Sequence, residues 1–369
     1  MKIIMIILLS LFLGGCKSEN SLNEADYLDP ADQNSYENYP VYTYEGGLFW
    51  LRNNSELMYI EGADHPVFVS DINFNDDIPE SEKPVAEKYS EAITGSGIYV
   101  YGDNIIYISR YTNAEGAASF RMMAMAIDGS KRQEIMNFDY EPLSFIIQDN
   151  LILTSEQCTD LTCAIHVYDI KGSELKKISG SWMPYHFFAD GMNIYYCEMS
   201  YDTEKVSVMK MDLHDFSVTE LLKNEVFVYE KNQLISVYSL SSPYSPELDP
   251  YSVITTSKLV DTESDETVFV VTDQIINYFD DKYIYCSSIK EEHAIYSIYD
   301  FDGHLIKEII PGEQIDIGRY YPGLFATDCS QIIRIIDKDI ISMTTDKETG
   351  REIIISCDTD TGKCRVIAE

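Results

Sequence analysis

The chain has 369 residues, 45% of them hydrophobic, and its 62 acidic side chains against 27 basic ones leave a formal charge of −35. That is enough apolar material for a large core, and the charge excludes nucleic acid and anionic lipid head groups as partners, since both would be repelled. The acidic residues are scattered through predicted turns, which is the pattern of a surface kept from self-association.

Residues 1–15 read as an export signal. Lys2 supplies a short positive region, Ile3 to Phe12 an apolar run too short for a permanent span, and Leu13-Gly14-Gly15-Cys16 follows at once. Small residues directly before a cysteine resemble the lipobox of bacterial lipoproteins, which implies that Cys16 becomes the acylated N-terminus after cleavage. Residues 16–39, rich in Asn, Ser, Asp and Glu, read as an acidic tether. The expected location is the outer face of a bacterial cytoplasmic membrane or cell envelope, with lipid as the only membrane contact.

Residues 40–369 repeat one pattern. Seven turn anchors recur: Gly46-Gly47, Asp103-Asn104, Asp149-Asn150, Asp190-Gly191, Lys231-Asn232, Asp281-Lys282 and Lys338-Asp339. After each comes a strand rich in β-branched or aromatic residues, such as NIIYIS, NIYYCE and YIYCSS. A further strand closes on an acidic or glycine turn, as in IYSIYDFDG at Ile295–Gly303. Spacings of roughly 41 to 57 residues and four strands per unit predict an all-β fold, a β-propeller of seven four-stranded blades, with six or eight as alternatives. Such a ring is expected to be monomeric.

The alternation of Asp-Asn-x-Ile-Tyr strands with Tyr-Asp-x-Asp-Gly strands resembles the repeats of bacterial lipoproteins whose domain is similar to the low-density-lipoprotein-receptor propeller. More distantly it is similar to TolB-like propellers. The receptor signature Tyr-Trp-Thr-Asp is replaced here by Tyr-Ile-Tyr-Cys at Tyr283–Cys286 and Ile-Tyr-Tyr-Cys at Ile194–Cys197.

Within a blade, the first-to-second and third-to-fourth turns lie on one face, and the predicted insertions fall on the other. These are Ser70–Ser96 with a short helix near Pro84, Tyr111–Ser119, Gln157–Cys163, Ser239–Tyr251 and Pro311–Ser330. Loops on a rigid scaffold are where binding residues concentrate. Tyr111, Tyr244, Tyr251, Tyr320 and Tyr321 lie in them and are the candidate ligand-binding residues, each offering an apolar ring and a hydroxyl to a protein, peptide or carbohydrate.

Eight cysteines in an exported chain suggest disulfides. Cys158 with Cys163, and Cys357 with Cys364 across a predicted hairpin, are the expected pairs, while Cys197 and Cys286 occupy matching positions and read as buried thiols. No P-loop, dinucleotide fingerprint, HExxH or zinc-type cysteine spacing occurs, so neither metal nor cofactor is expected. Asp300, Asp302 and Gly303, like Asp358, Asp360 and Gly362, start as calcium loops do but lack the later ligands, so they read as hairpin turns. Gly95-Ser96-Gly97 is too short for a nucleophile elbow and reads as a linker. No catalytic residue is assigned. The first reading of function is a non-catalytic binding or scaffold module working through its loop-bearing face; the alternative is a carbohydrate-active or other envelope enzyme using the axial channel.

Overall fold

The structure is a computed structural model that describes residues 41–44, 47–52, 56–61, 67–71, 90–112, 118–159, 162–203, 205–240, 254–290, 293–311, 315, 320–321, 332–336, 338–346 and 352–368. Cys16, the tether, Tyr244, Tyr251 and the expected helix near Pro84 lie outside the described residues.

Alternating apolar and polar residues give strands, and each run of four pairs with its sequence neighbours. Sheet 1 holds β1 (Val41–Tyr44), β2 (Gly47–Arg52), β3 (Glu56–Glu61) and β4 (Val67–Asp71). Sheet 2 holds β5 (Ser90–Tyr101), β6 (Asn104–Thr112), β7 (Ala118–Ala126) and β8 (Gln133–Phe138). Sheet 3 holds β9 (Pro142–Gln148), β10 (Leu151–Thr159), β11 (Thr162–Asp169) and β12 (Glu174–Gly180). Sheet 4 holds β13 (Trp182–Asp190), β14 (Asn193–Ser200), β15 (Val206–Asp212) and β16 (Val218–Lys223). Sheet 5 holds β17 (Glu225–Lys231), β18 (Leu234–Leu240), β19 (Ile254–Asp261) and β20 (Thr267–Thr272). Sheet 6 holds β21 (Ile275–Phe279), β22 (Tyr283–Lys290), β23 (His293–Asp300) and β24 (Leu305–Ile309). Sheet 7 holds β25 (Tyr320–Tyr321), β26 (Ile332–Ile336), β27 (Asp339–Asp346), β28 (Glu352–Asp358) and β29 (Cys364–Ala368).

All the pairings are antiparallel, and the first strands stand side by side in order, β1 against β5, then β9, β13, β17, β21 and β26. Radial meanders joined through their first strands are the arrangement of a β-propeller. Aromatic side chains fill the seams between sheets: Phe188 of sheet 4 meets Tyr229 of sheet 5 edge-on at 5.8 Å, and Tyr229 meets Phe279 of sheet 6 at 5.1 Å. Each such pair contributes about 0.5–1.5 kcal/mol beyond its buried area.

Every predicted anchor within the described residues lies at a turn or within one residue of it, and Asp149-Asn150 coincides with it. Asp149 and Asn150 turn β9 into β10 with φ of 51° and 62°, and Asn232 and Gln233 do the same in sheet 5 with 52° and 68°. Two successive positive φ values match the twist of a two-residue hairpin, and Asn and Asp tolerate them. At the third-to-fourth turns an aspartate accepts backbone N–H groups, as Asp169 does from Lys171 at 2.9 Å and Ser173 at 2.8 Å. The two turns of a sheet are then tied together. Ile127 N–H donates to Asp103 O, Leu213 to Met192, Thr262 to Gln233 and Thr359 to Lys338, at 2.7–3.1 Å. Both turns therefore lie at the same end of each of these sheets.

Several loop expectations are corrected. Tyr111 belongs to β6, paired with Ser119, because the β6–β7 hairpin continues to Thr112. Cys158 and Cys163 belong to strands β10 and β11, where Gln157 pairs with Cys163 and the register shifts at Cys158. Tyr320 and Tyr321 form β25, paired with Asp346 and Thr345 of β27, on the edge that also receives β26. Gly95-Ser96-Gly97 is a bulge inside β5, between Ile93 and Ile98, and no linker. First strands bulge likewise at Tyr185/Phe188, Phe227/Tyr229 and Ile276/Tyr278, which increases the local twist of the inner strands.

Candidate functional site

Because the tied turns occupy one end, the opposite end receives the second-to-third hairpins and the connections between sheets. Of the candidate tyrosines, Tyr111, Tyr320 and Tyr321 lie in strand segments at this loop-bearing end, while Tyr244 and Tyr251 fall outside the described residues. Tyr111 is half-buried, with the Arg121 guanidinium 4.7 Å over its ring and Glu134 3.7 Å beyond the arginine. A cation over a ring face holds both planes in place. In sheet 5 the buried Glu225 accepts Ser239 Oγ at 2.9 Å and pairs with Lys258 Nζ at 2.9 Å.

Between sheets 3 and 4 the buried Cys163 thiol lies 3.2 Å from the Tyr201 hydroxyl. Burial, and next the bond to Cys163, push the Tyr201 phenol up to about 12. The Cys158 side chain is outside the described residues. Gly180 lies beneath Trp182, and an added Cβ would collide with the indole Nε1. Glycine is thus required there by close approach, not by φ.

A buried polar group in sheet 3 was not singled out from the sequence. His166 Nδ1 lies 2.7 Å from Glu174 Oε2 and its Nε2 4.0 Å from Glu156 Oε2. Glu156 accepts Thr154 Oγ1 at 2.8 Å and the Tyr168 hydroxyl at 3.2 Å, and the Tyr168 ring stacks on the imidazole. Burial, and then the Glu156 charge, push the Tyr168 phenol up. The network satisfies its own members, which favours a structural role. The signal that reveals it is a histidine interrupting the apolar run of AIHVYD.

A second group missed from the sequence lies at the tied-turn end, between sheets 4 and 5. Glu230 is 3% exposed and accepts Gln233 N–H at 3.0 Å. Burial, followed by the neighbouring Asp190 carboxylate, raises its carboxyl to about 8. Tyr195 lies beside the pair, its phenol raised to about 12 by burial and then by Glu230 and Asp190, with Lys210 Nζ 5.7 Å from its ring. Glu230 and Tyr195 are buried in the seam, while Asp190 and Lys210 beside them are partly exposed.

The remaining cysteines follow expectation. Cys357 and Cys364 form a disulfide between paired positions of β28 and β29, with Cα atoms 4.1 Å apart. Cys197 and Cys286 are buried, and Cys197 Sγ accepts Phe227 N–H at 3.1 Å. Asp300, Asp302 and His304 converge in the outer turn of sheet 6, where Asp300 already accepts His304 N–H at 2.8 Å and lies 3.0 Å from its Nδ1. Among the described residues no helix is long and apolar enough to cross a membrane.

No protein-family model matches the chain, and no curated protein matches it. Solved structures do. A structure from a study of two prolyl endopeptidases shares 12% identity at a TM-score of 0.54, covering 88% of this chain and 48% of that one. The chain thus spans about half the length of that protein. The CNH domain of AfRom2 shares 10% identity at a TM-score of 0.50, covering 89% and 98%. An uncharacterized protein, lmo1340 of Listeria monocytogenes EGD-e, shares 10% identity at a TM-score of 0.48, covering 72% and 79%. At these identities the likeness to the first two speaks for fold alone, and with the sheet order it makes the chain a propeller-type all-β protein.

Proposed function

We propose that the chain is a seven-bladed β-propeller, each sheet one blade, acting as a non-catalytic binding module on the outer face of a bacterial cell envelope. Lipid on Cys16 anchors it, residues 16–39 hold the ring clear of the membrane, and the loop-bearing end receives an envelope protein, a peptide or a carbohydrate.

One observation carries it. Backbone hydrogen bonds tie the first and third turns of a sheet to each other in sheets 2, 4, 5 and 7, so that end is uniform. Chain length varies at the other end, where the links between Leu240 and Ile254 and between Asp71 and Ser90 lie. Variation confined to one end of a rigid scaffold marks a recognition surface. The enzyme reading draws support from the raised carboxyl of Glu230, but a side chain 3% exposed meets no substrate in this fold.

Two experiments test the proposal. Cys16→Ala should release the protein from membranes into the soluble fraction, and unchanged retention would remove the lipid anchor from the account. Grafting a short turn between Leu240 and Ile254 should abolish capture of the partner while leaving the β-sheet circular dichroism unchanged. Capture that survives this graft but is lost with Glu230→Gln would favour the enzyme reading.

A further inference from the structure

The outer strands of the seven sheets differ in one respect. β4 carries Asp71, β8 Glu134, β12 Glu174 with Lys176 and Lys177, β16 Glu220 and Lys223, β24 Lys307 and Glu308, and β29 Arg365. β20 reads Thr-Val-Phe-Val-Val-Thr, with neither charge nor proline. Edge strands are commonly guarded by charge or proline, because a free row of N–H and C=O groups invites another strand. β20 ends the order β17-β18-β19-β20, so among the described residues no strand pairs with its outer edge. Its position is fixed from within: Phe269 is buried, with its ring 5.6 Å from that of Tyr299 in sheet 6. Val268 and Val270, 44% and 51% exposed, project from the other face.

We propose that β20 is a strand-addition site for an extended segment of a partner protein, one with β-branched or aromatic residues at its centre and Lys or Arg at both ends. Charge selects this occupant. Glu263, Asp265 and Glu266 precede the strand and Asp273 follows it. Antiparallel pairing of two copies would bring the acidic start of one strand, with Glu263, Asp265 and Glu266, to the end of the other that carries Asp273, twice by symmetry, between chains each carrying −35. A segment with basic ends turns both clashes into attraction. Main-chain hydrogen bonds then supply affinity, and contacts with Val268 and Val270 supply side-chain preference. This rim site is separate from the loop-bearing end and stands or falls independently of it.

The test is a titration of the purified full chain with a labelled peptide of alternating Val and Thr flanked by two lysines at each end, followed by fluorescence anisotropy. Saturable binding is expected, weakened about tenfold or more by Val270→Lys or by N-methylating alternate peptide amides. Leu175→Lys, at a site 50% exposed on guarded β12, should leave binding unchanged. Absence of binding overturns the proposal. So does equal binding of the N-methylated peptide, which would indicate simple charge attraction. A dimer of the full chain that Val270→Lys dissociates would also overturn it, assigning the edge to a second copy.

Discussion

Replacing Glu230 by glutamine should make the protein more stable at neutral and alkaline pH, and the size of the gain follows from the site. The carboxyl is 3% exposed and sits beside the Asp190 carboxylate, which together with burial raises it from 4.5 to about 8. Between these values the folded chain holds a proton that the unfolded chain has released, so stability falls as pH rises through this window. At about 1.4 kcal/mol for each tenfold change in the proton equilibrium, the ceiling is about 5 kcal/mol, of which about 3–4 kcal/mol is lost between pH 5 and pH 8. Glutamine keeps an oxygen for Gln233 N–H, which Glu230 accepts at 3.0 Å, and its amide can donate to Asp190. Urea unfolding should therefore show a near-zero difference between variant and wild type at pH 5 and a gain of about 3–4 kcal/mol for the variant at pH 8. A difference that stays flat across this range would refute a buried Glu230 carboxyl that holds its proton.

The remaining predictions concern turns, packing and the disulfide. Asp169, Asp261, Asp300 and Asp358 are held below the usual aspartate range chiefly by the backbone N–H groups they accept, from Ser173, Ser264, His304 and Thr361 respectively. Their contribution is present above about pH 4 and lost as pH falls through the lowered values; changing all four to Asn should flatten the acid limb of a pH–stability curve, and an unaltered limb counts against it. Gly180→Ala drives a Cβ into the Trp182 indole. It should cost about 1–3 kcal/mol and shift tryptophan emission, with unchanged emission as the contrary result. Cys364→Ser should remove about 2–3 kcal/mol by opening the loop closed with Cys357, and mapping of non-reduced peptides should show the two linked in wild type.

Much of the fold was legible because it is built from local rules repeated. Asp149-Asn150 announces a two-residue reversal through side chains that tolerate positive φ, the Lys231-Asn232 anchor falls one residue before the turn at Asn232 and Gln233, and the Asp-x-x-Gly turns follow from an aspartate that caps its own hairpin. Strand ends were less legible. Polar residues such as Tyr111 and Gln157 to Thr159 look like loop in sequence, yet cross-strand partners extend the ladders through them. The buried groups were not legible at all. Glu230 and Asp190 lie 40 residues apart in different repeats and meet only when two sheets pack, and no local pattern marks the event. The same holds for the unguarded edge of β20, which stands out only beside the other six outer strands.

The central claim is that the loop-bearing end receives the partner and the tied-turn end does not. A photo-crosslinking amino acid placed in living cells at Tyr111 or Tyr320 on the first end, and at Lys282 or Met192 on the second, tests it most directly. The account predicts a discrete adduct with an envelope component from the first pair of positions and none from the second. Adducts formed only from Lys282 or Met192 would contradict it.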